Sequence, residues 1–147
     1  MAQEEFVIKQ VSVFAENRPG HLAAIAKALQ EEKVNIYAFS IAEAKGFGVV
    51  RTLVDKPEVA YQKLIKIGFM VSFTDVVAVR MRDEPGGLYE TAKVLGDAGI
   101  NIEYAYAYSG KGGAVLILRV DQVMDAVQKM REHGLDLLKA SDIGKRE

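Results

Sequence analysis

The sequence predicts an α+β fold built from two successive β-α-β-β-α-β units, antiparallel sheets with helices on one face, and three observations predict it. The first is a duplication at a fixed spacing of 66 residues, with 19 identities in the 58 positions from Val11 to Gly68. The second is the alternation of strand-like and helix-like hydrophobic periods in the same order within each copy. The third is that the two copies fill the 147 residues and leave almost nothing for a separate catalytic domain.

In the first copy, Val7, Lys9, Val11, Val13 and Ala15 share one parity and Ile8, Gln10, Ser12 and Phe14 the other, the period of a strand with one face more buried. Asn17-Arg18-Pro19-Gly20 is a turn. Leu22, Ile25, Ala26 and Leu29 then recur at helical spacing to about Glu32. Val34 to Ala42 and Val49 to Val54 are β-branched, aromatic or small, and Lys45-Gly46 punctuates them as a hairpin. Asp55-Lys56-Pro57 starts a second helix with Ala60, Leu64 and Ile67 on one face and Gly68 as its stop. Phe69 to Phe73 closes the copy as a short strand.

The second copy repeats the order: strand Val76 to Met81, helix Gly87 to Ala98, hairpin Ile100 to Val120 around Gly110-Lys111-Gly112-Gly113, helix Gln122 to His133, and a strand near Leu135 to Ala140. In the helix, Val123, Ala126, Val127 and Met130 point inward. Both copies are expected to be ferredoxin-like, split-βαβ sandwiches, one over residues 1–74 and one over 75–147. No Gly/Ser/Pro-rich linker separates them at Thr74-Asp75-Val76, so a fixed side-by-side pair with a continuous sheet is expected. Ser141-Asp142-Ile143 ends the second copy with a similar triplet, one residue out of register.

Composition narrows the function. There is no cysteine, which removes disulfides, thiolate metal sites and thiol catalysis. His21 and His133 fall at unrelated places and assemble no histidine-rich site, so neither metal nor cofactor is expected. The net charge of −1 with scattered signs gives no footprint for nucleic acid or anionic lipid. Neither third strand carries the aromatic, basic pattern of an RNA-recognition domain. The start, MAQEEFVIKQ, lacks the n- and h-regions of a secretory signal, and no apolar run reaches the roughly 20 residues of a membrane span. A cytoplasmic protein is expected.

The chemistry concentrates in the turn between the first strand and first helix. Glu16-Asn17-Arg18-Pro19-Gly20-His21-Leu22 followed by Val34-Asn35-Ile36 resembles the ligand-binding signature of ACT domains, the amino-acid-binding regulatory modules of biosynthetic enzymes such as phosphoglycerate dehydrogenase. Asp83-Glu84-Pro85-Gly86-Gly87-Leu88 with Ile100-Asn101-Ile102 is similar, and the resemblance covers essentially the whole chain. The layout of two units without an enzyme, with Ile41-Ala42-Glu43, Thr74-Asp75-Val76-Val77 and Ile102-Glu103-Tyr104, resembles stand-alone tandem ACT proteins. The resemblance implies an amino acid held at an interface between two units, a homodimer, and a partner enzyme that receives the signal. It also implies Asn17 and Asn35 as polar contacts. In the serine-sensing type a histidine stands two positions before the first asparagine; here Ala15 and Met81 occupy that place, so serine itself is not implied.

Physical chemistry gives the same residues a rationale. Gly20 and Gly86 allow a sharp turn and close approach, and Pro19 and Pro85 suit the first helical position. The first-turn N–H groups of the helix then cradle a carboxylate. Asn17 donates and accepts at once, and Asn35 is expected to face the same corner. Asp83, in place of Asn17, repels a carboxylate but accepts from an ammonium.

Each residue also has a plainer reading. Asn17 as a helix cap, Asn35 as a support for the strand start and His21 as a solvated first-turn residue are alternatives. So are His133 as a complement to a helix dipole and Tyr104, Tyr106 and Tyr108 as strand packing. Two other functions stay open: an adaptor without ligand, and an acylphosphatase-like enzyme, whose arginine-bearing phosphate loop is echoed only by Asn17-Arg18.

Overall fold

Alternating valines and paired helical stripes build the same layered unit twice in the computed structural model, which describes residues 3–110 and 113–143. In chain order the elements are β1 (Val7–Glu16), α1 (His21–Glu31), β2 (Ile36–Ala44), β3 (Phe47–Val54), α2 (Pro57–Lys66) and β4 (Met70–Met81). Then come α3 (Gly87–Asp97), β5 (Ile102–Gly110), β6 (Gly113–Val120), α4 (Val123–Glu132) and β7 (Asp136–Leu138). One unit comprises Lys9–Thr74; the other comprises the chain from Asp75 onward together with the residues up to Ile8. The fold is α+β, two ferredoxin-like units.

In the first unit the strand order is β2-β3-β1-β4, with β1 antiparallel to β3 and Val11 opposite Thr52. The odd residues of β1 and even residues of β3 point at the helices. Val11, Val13, Val50 and Val54 therefore form one core with Ile25, Leu29, Ala60 and Leu64. Thr52 is buried among them and donates its hydroxyl to the Val11 carbonyl, 3.0 Å, so the polar group is satisfied. On the other face of β1, buried Gln10 donates to Ser12 Oγ, which is 2.9 Å from the Thr74 hydroxyl.

The second unit has the order β5-β6-β4-β7, with β4 antiparallel to both β6 and β7. Its core joins Val77, Val79, Leu95, Leu116, Leu118, Ala126, Val127 and Met130, against which Phe6 and Val7 pack. The sequence-predicted turn centre Lys111-Gly112 lies outside the described residues. Each edge hairpin has a register shift at its start, at Ile36/Ala38 and again at Ile102/Tyr104. The duplication thus extends to a β-bulge.

Two expectations are corrected, and the out-of-register triplet is accounted for. Residues 70–73 and 76–81 belong to the single twelve-residue strand β4, since Thr74-Asp75 contains no glycine or proline to interrupt it. The inward stripe of α1 is Ile25, Ala28 and Leu29, whereas Leu22 is 39% exposed and Leu88, its counterpart in α3, 56% exposed. Ser141-Asp142 lies in a 3-10 turn, Ala140–Asp142, closed by the Asp142 carboxylate on the Lys139 N–H, 3.0 Å. Thr74-Asp75 is extended, so the two similar triplets are not structural equivalents.

Candidate functional site

The loops joining β1 to α1 and β4 to α3 are sharp corners built on a left-handed glycine. Gly20 and Gly86 are the N-caps of α1 and α3, at φ +92° and +95°, a region open to glycine at no steric cost. The prolines consequently stand one residue ahead of the cap and not inside the helix. Their fixed φ sets the approach to the glycine in place of the expected first helical position. The Arg18 carbonyl accepts the His21 N–H at 3.3 Å, and the Gly20 carbonyl accepts the Ala24 N–H at 3.0 Å. The Glu84 and Gly86 carbonyls accept the Gly87 and Glu90 N–H groups at 3.1 and 3.2 Å.

Asn17 does not cap α1: the cap is glycine, and it makes no side-chain capping bond. Its backbone N–H donates to the Gly46 carbonyl at the β2–β3 turn, 2.9 Å, and its carboxamide lies in an exposed position at the corner. His21 Nδ1 donates to the Glu16 carbonyl at 2.6 Å, and Arg18 Nε–H donates to His21 Nε2 at 3.1 Å. Those two bonds assign the neutral imidazole with its proton on Nδ1, because a carbonyl only accepts and a guanidinium only donates. The Arg18 guanidinium also lies 3.6 Å from the Glu16 carboxylate, and the ring meets Phe69 edge-on with centroids 6.2 Å apart.

The second corner is built differently. Gly87 replaces His21 and is buried; a β-carbon there would overlap the Arg82 carbonyl oxygen and lie 3.1 Å from its carbonyl carbon. The strand end therefore rests directly on the helix start. Arg82 pairs with Glu90 and Glu84. The hydrogen bond and charge of Glu90, then the charge of Glu84, hold its guanidinium above its ordinary ionisation range. Asp83, Pro85 and Leu88 are exposed around it.

Asn35 and Asn101 lie at the opposite end of their units, which corrects the expectation that Asn35 shares the corner with Asn17. The Asn35 N–H donates to Asp55 Oδ1 at 2.9 Å, and the Asp55 N–H returns to the Asn35 carbonyl at 3.1 Å. Asn101 and Asp121 repeat the bracket at 3.0 and 3.2 Å. The nine residues of β2 separate this end from the Gly46 turn beside Asn17, about 30 Å of strand. A crossover helix returns the chain to the far end of the sheet, so the strand after it starts where the first strand also started. Ile36 and Ile102 are half-buried and pack on the two cores. A depression of about 410 Å³, lined by Ala26, Gln30, Lys33, Val34, Asn35 and Ile36, opens at the Asn35 end.

In the sequence Asp55 reads as a helix start, and the signal for the two brackets is Val54-Asp55 recurring as Val120-Asp121 at the repeat spacing. Replacing Asp55 with alanine is expected to cost about 1 kcal/mol, measured by urea unfolding, as a charge-assisted bond to a backbone donor is lost. His133 Nδ1 donates to the Lys129 carbonyl at 2.9 Å in the last turn of α4. Tyr104, Tyr106 and Tyr108 are half-buried on the face of β5 shared with Val115, Ile117 and Arg119 of β6. Among the described residues no cluster of three or more His, Cys, Asp or Glu side chains is arranged to hold a metal ion, and no helix is long and apolar enough to cross a membrane.

Residues 6–146 match a family model described as an ACT domain pair. A Bacteroides thetaiotaomicron protein of known crystal structure is 35% identical, with 95% of this chain and 97% of that one covered and a TM-score of 0.90. The ligand-free regulatory subunit of aspartate kinase from Thermus thermophilus shares the fold at 14% identity and TM-score 0.63, over 88% of this chain and 95% of that one. Escherichia coli aspartokinase III, crystallised with lysine and aspartate, matches at 15% identity and TM-score 0.56, over 86% of this chain and 31% of that enzyme. No curated protein sequence matches the chain.

Proposed function

The chain belongs to the ACT domain pair family, and from that premise we propose that it is a regulatory amino-acid-binding protein and not a catalyst. The observation that carries the reading is the N-terminal corner. There an exposed asparagine, unused as a cap, immediately precedes Arg18 at the entry to α1. A free amino acid has one carboxylate for the first-turn N–H groups and arginine, and one ammonium for carboxamide and carbonyl acceptors. The lysine and aspartate held by the aspartokinase are of that class.

Because Asn17 and Asn35 sit at opposite ends of one unit, a site that uses both takes the second asparagine from another chain. The functional form is thus a homodimer in which the Asn35 end of one chain meets the corner of its partner. Occupancy acts by shifting association with a partner enzyme. A dissociation constant in the micromolar to millimolar range, about −4 to −8 kcal/mol, suits a metabolite sensor. Cytoplasm is the compartment proposed, where free amino acids and biosynthetic enzymes meet.

Calorimetric titration of the twenty amino acids against the full chain tests the reading, with sedimentation followed in parallel. At a hundred times its dissociation constant the ligand is expected to add about 2.7 kcal/mol to stability. Asn17→Ala is expected to weaken that ligand by about 1–3 kcal/mol while the unfolding midpoint holds. An unchanged isotherm moves the site elsewhere, and silence from all twenty ends the sensor reading.

A further inference from the structure

We infer that His21 is a positioning residue that makes the two corners unequal: its neutral imidazole is a proton-sensitive latch that props the N-terminal corner and aims Arg18. The inference rests on the reading of that corner as the ligand site. Its geometry is independent of any ligand. In the second corner the Arg82 carbonyl occupies the space that a side chain at Gly87 would need. In the first corner a whole imidazole stands at the equivalent position, and the Glu16 carbonyl is held by its Nδ1–H at 2.6 Å. The strand end is therefore spaced from the helix start by a ring in one copy and collapsed onto it in the other.

The arginines differ accordingly. Arg82 is held by two carboxylates, Glu84 and Glu90. Arg18 is held by one carboxylate at 3.6 Å and by the lone pair of His21 Nε2. That lone pair is lost when the ring takes a proton, and an imidazolium then faces a guanidinium. Histidine as a residue type changes charge between about pH 5 and 8. The groups against the ring are the Glu16 carbonyl from β1, Arg18 from the turn, whose guanidinium lies 3.6 Å from the Glu16 carboxylate, and the uncharged ring of Phe69 ahead of β4. Among the described residues no other charged side chain bonds to it. Protonation accordingly frees Arg18 in the first corner and leaves the Arg82 arrangement untouched.

Nuclear magnetic resonance on the full, ligand-free chain decides the matter. At pH 8 the His21 ring nitrogens are expected to show the proton on Nδ1, with cross-peaks between the ring and the Arg18 side chain. At pH 5 those cross-peaks are expected to vanish, while contacts between Arg82 and Glu90 persist. His21→Phe keeps the ring shape without its nitrogens and is expected to lose the Arg18 cross-peaks at both pH values; a thermal melt of the variant checks that the fold is retained. A proton on Nε2 at pH 8, or Arg18 cross-peaks unchanged at pH 5, overturns the inference. The amino-acid panel run at both pH values separates the two ideas. Binding lost at pH 5 together with the cross-peaks supports the latch, and equal binding at both pH values overturns its role in the site. If no amino acid binds, the sensor reading fails and the resonances still decide the latch.

Discussion

Truncating Leu64 to alanine is expected to destabilise the chain by about 2–5 kcal/mol, the range for removing a fully buried leucine from a packed core. Leu64 is 0% exposed at the centre of the first core, where α2 meets Val11, Val13 and Leu29. Its carbonyl also accepts the Phe69 N–H at 3.0 Å as the chain leaves the helix, so few local rearrangements can fill the vacated space. Urea unfolding followed by circular dichroism measures the loss as a lower midpoint at similar slope. The second copy supplies a natural control, because Met130 stands at the same repeat position and is equally buried. Leu64→Met conserves volume and is expected to cost less than about 1.5 kcal/mol. A Leu64→Ala variant within about 0.5 kcal/mol of the parent contradicts the assignment of this residue to the core.

Gly87→Ala is the second large effect expected, a destabilisation of about 1–3 kcal/mol from a single added methyl group. The methyl meets backbone, the Arg82 carbonyl, and not the movable end of a side chain. Either the strand end or the first turn of α3 has to shift, which disturbs the Gly87 N–H bond to the Glu84 carbonyl and the Arg82 pairs with Glu84 and Glu90. His21→Ala supplies the contrast: that corner already accommodates a β-carbon, so the cost there is limited to two exposed hydrogen bonds, about 1 kcal/mol in all. Equal costs at the two positions, read from the same denaturation curves, contradict the unequal corners.

The fold was legible because duplication and periodicity constrain each other. Val11 and Val13 against Ile25 and Leu29 reads as a strand under a helix, and the same pattern returns with Val77, Val79 and Leu95. What periodicity misplaced was helix phase: Leu22 fits the spacing of Ile25 and Leu29 yet belongs to the first turn, where side chains reach past the core. The corner itself was visible as Pro-Gly, but which side of the glycine begins the helix depends on the left-handed φ that only the structure supplies. Asn35 was misplaced for a topological reason. Adjacent motifs joined by an eleven-residue helix are about 16 Å apart along that helix alone. The pairing of Asn35 with Asp55 was hidden because it runs between the backbone of one residue and the carboxylate of another.

In the proposed dimer the two asparagines of one site come from separate chains. A receptor whose halves are carried by different bodies responds to the abundance of protein as well as of metabolite. Dilution would then weaken apparent affinity, and a saturating metabolite would act as an adhesive that tightens assembly by the same factor.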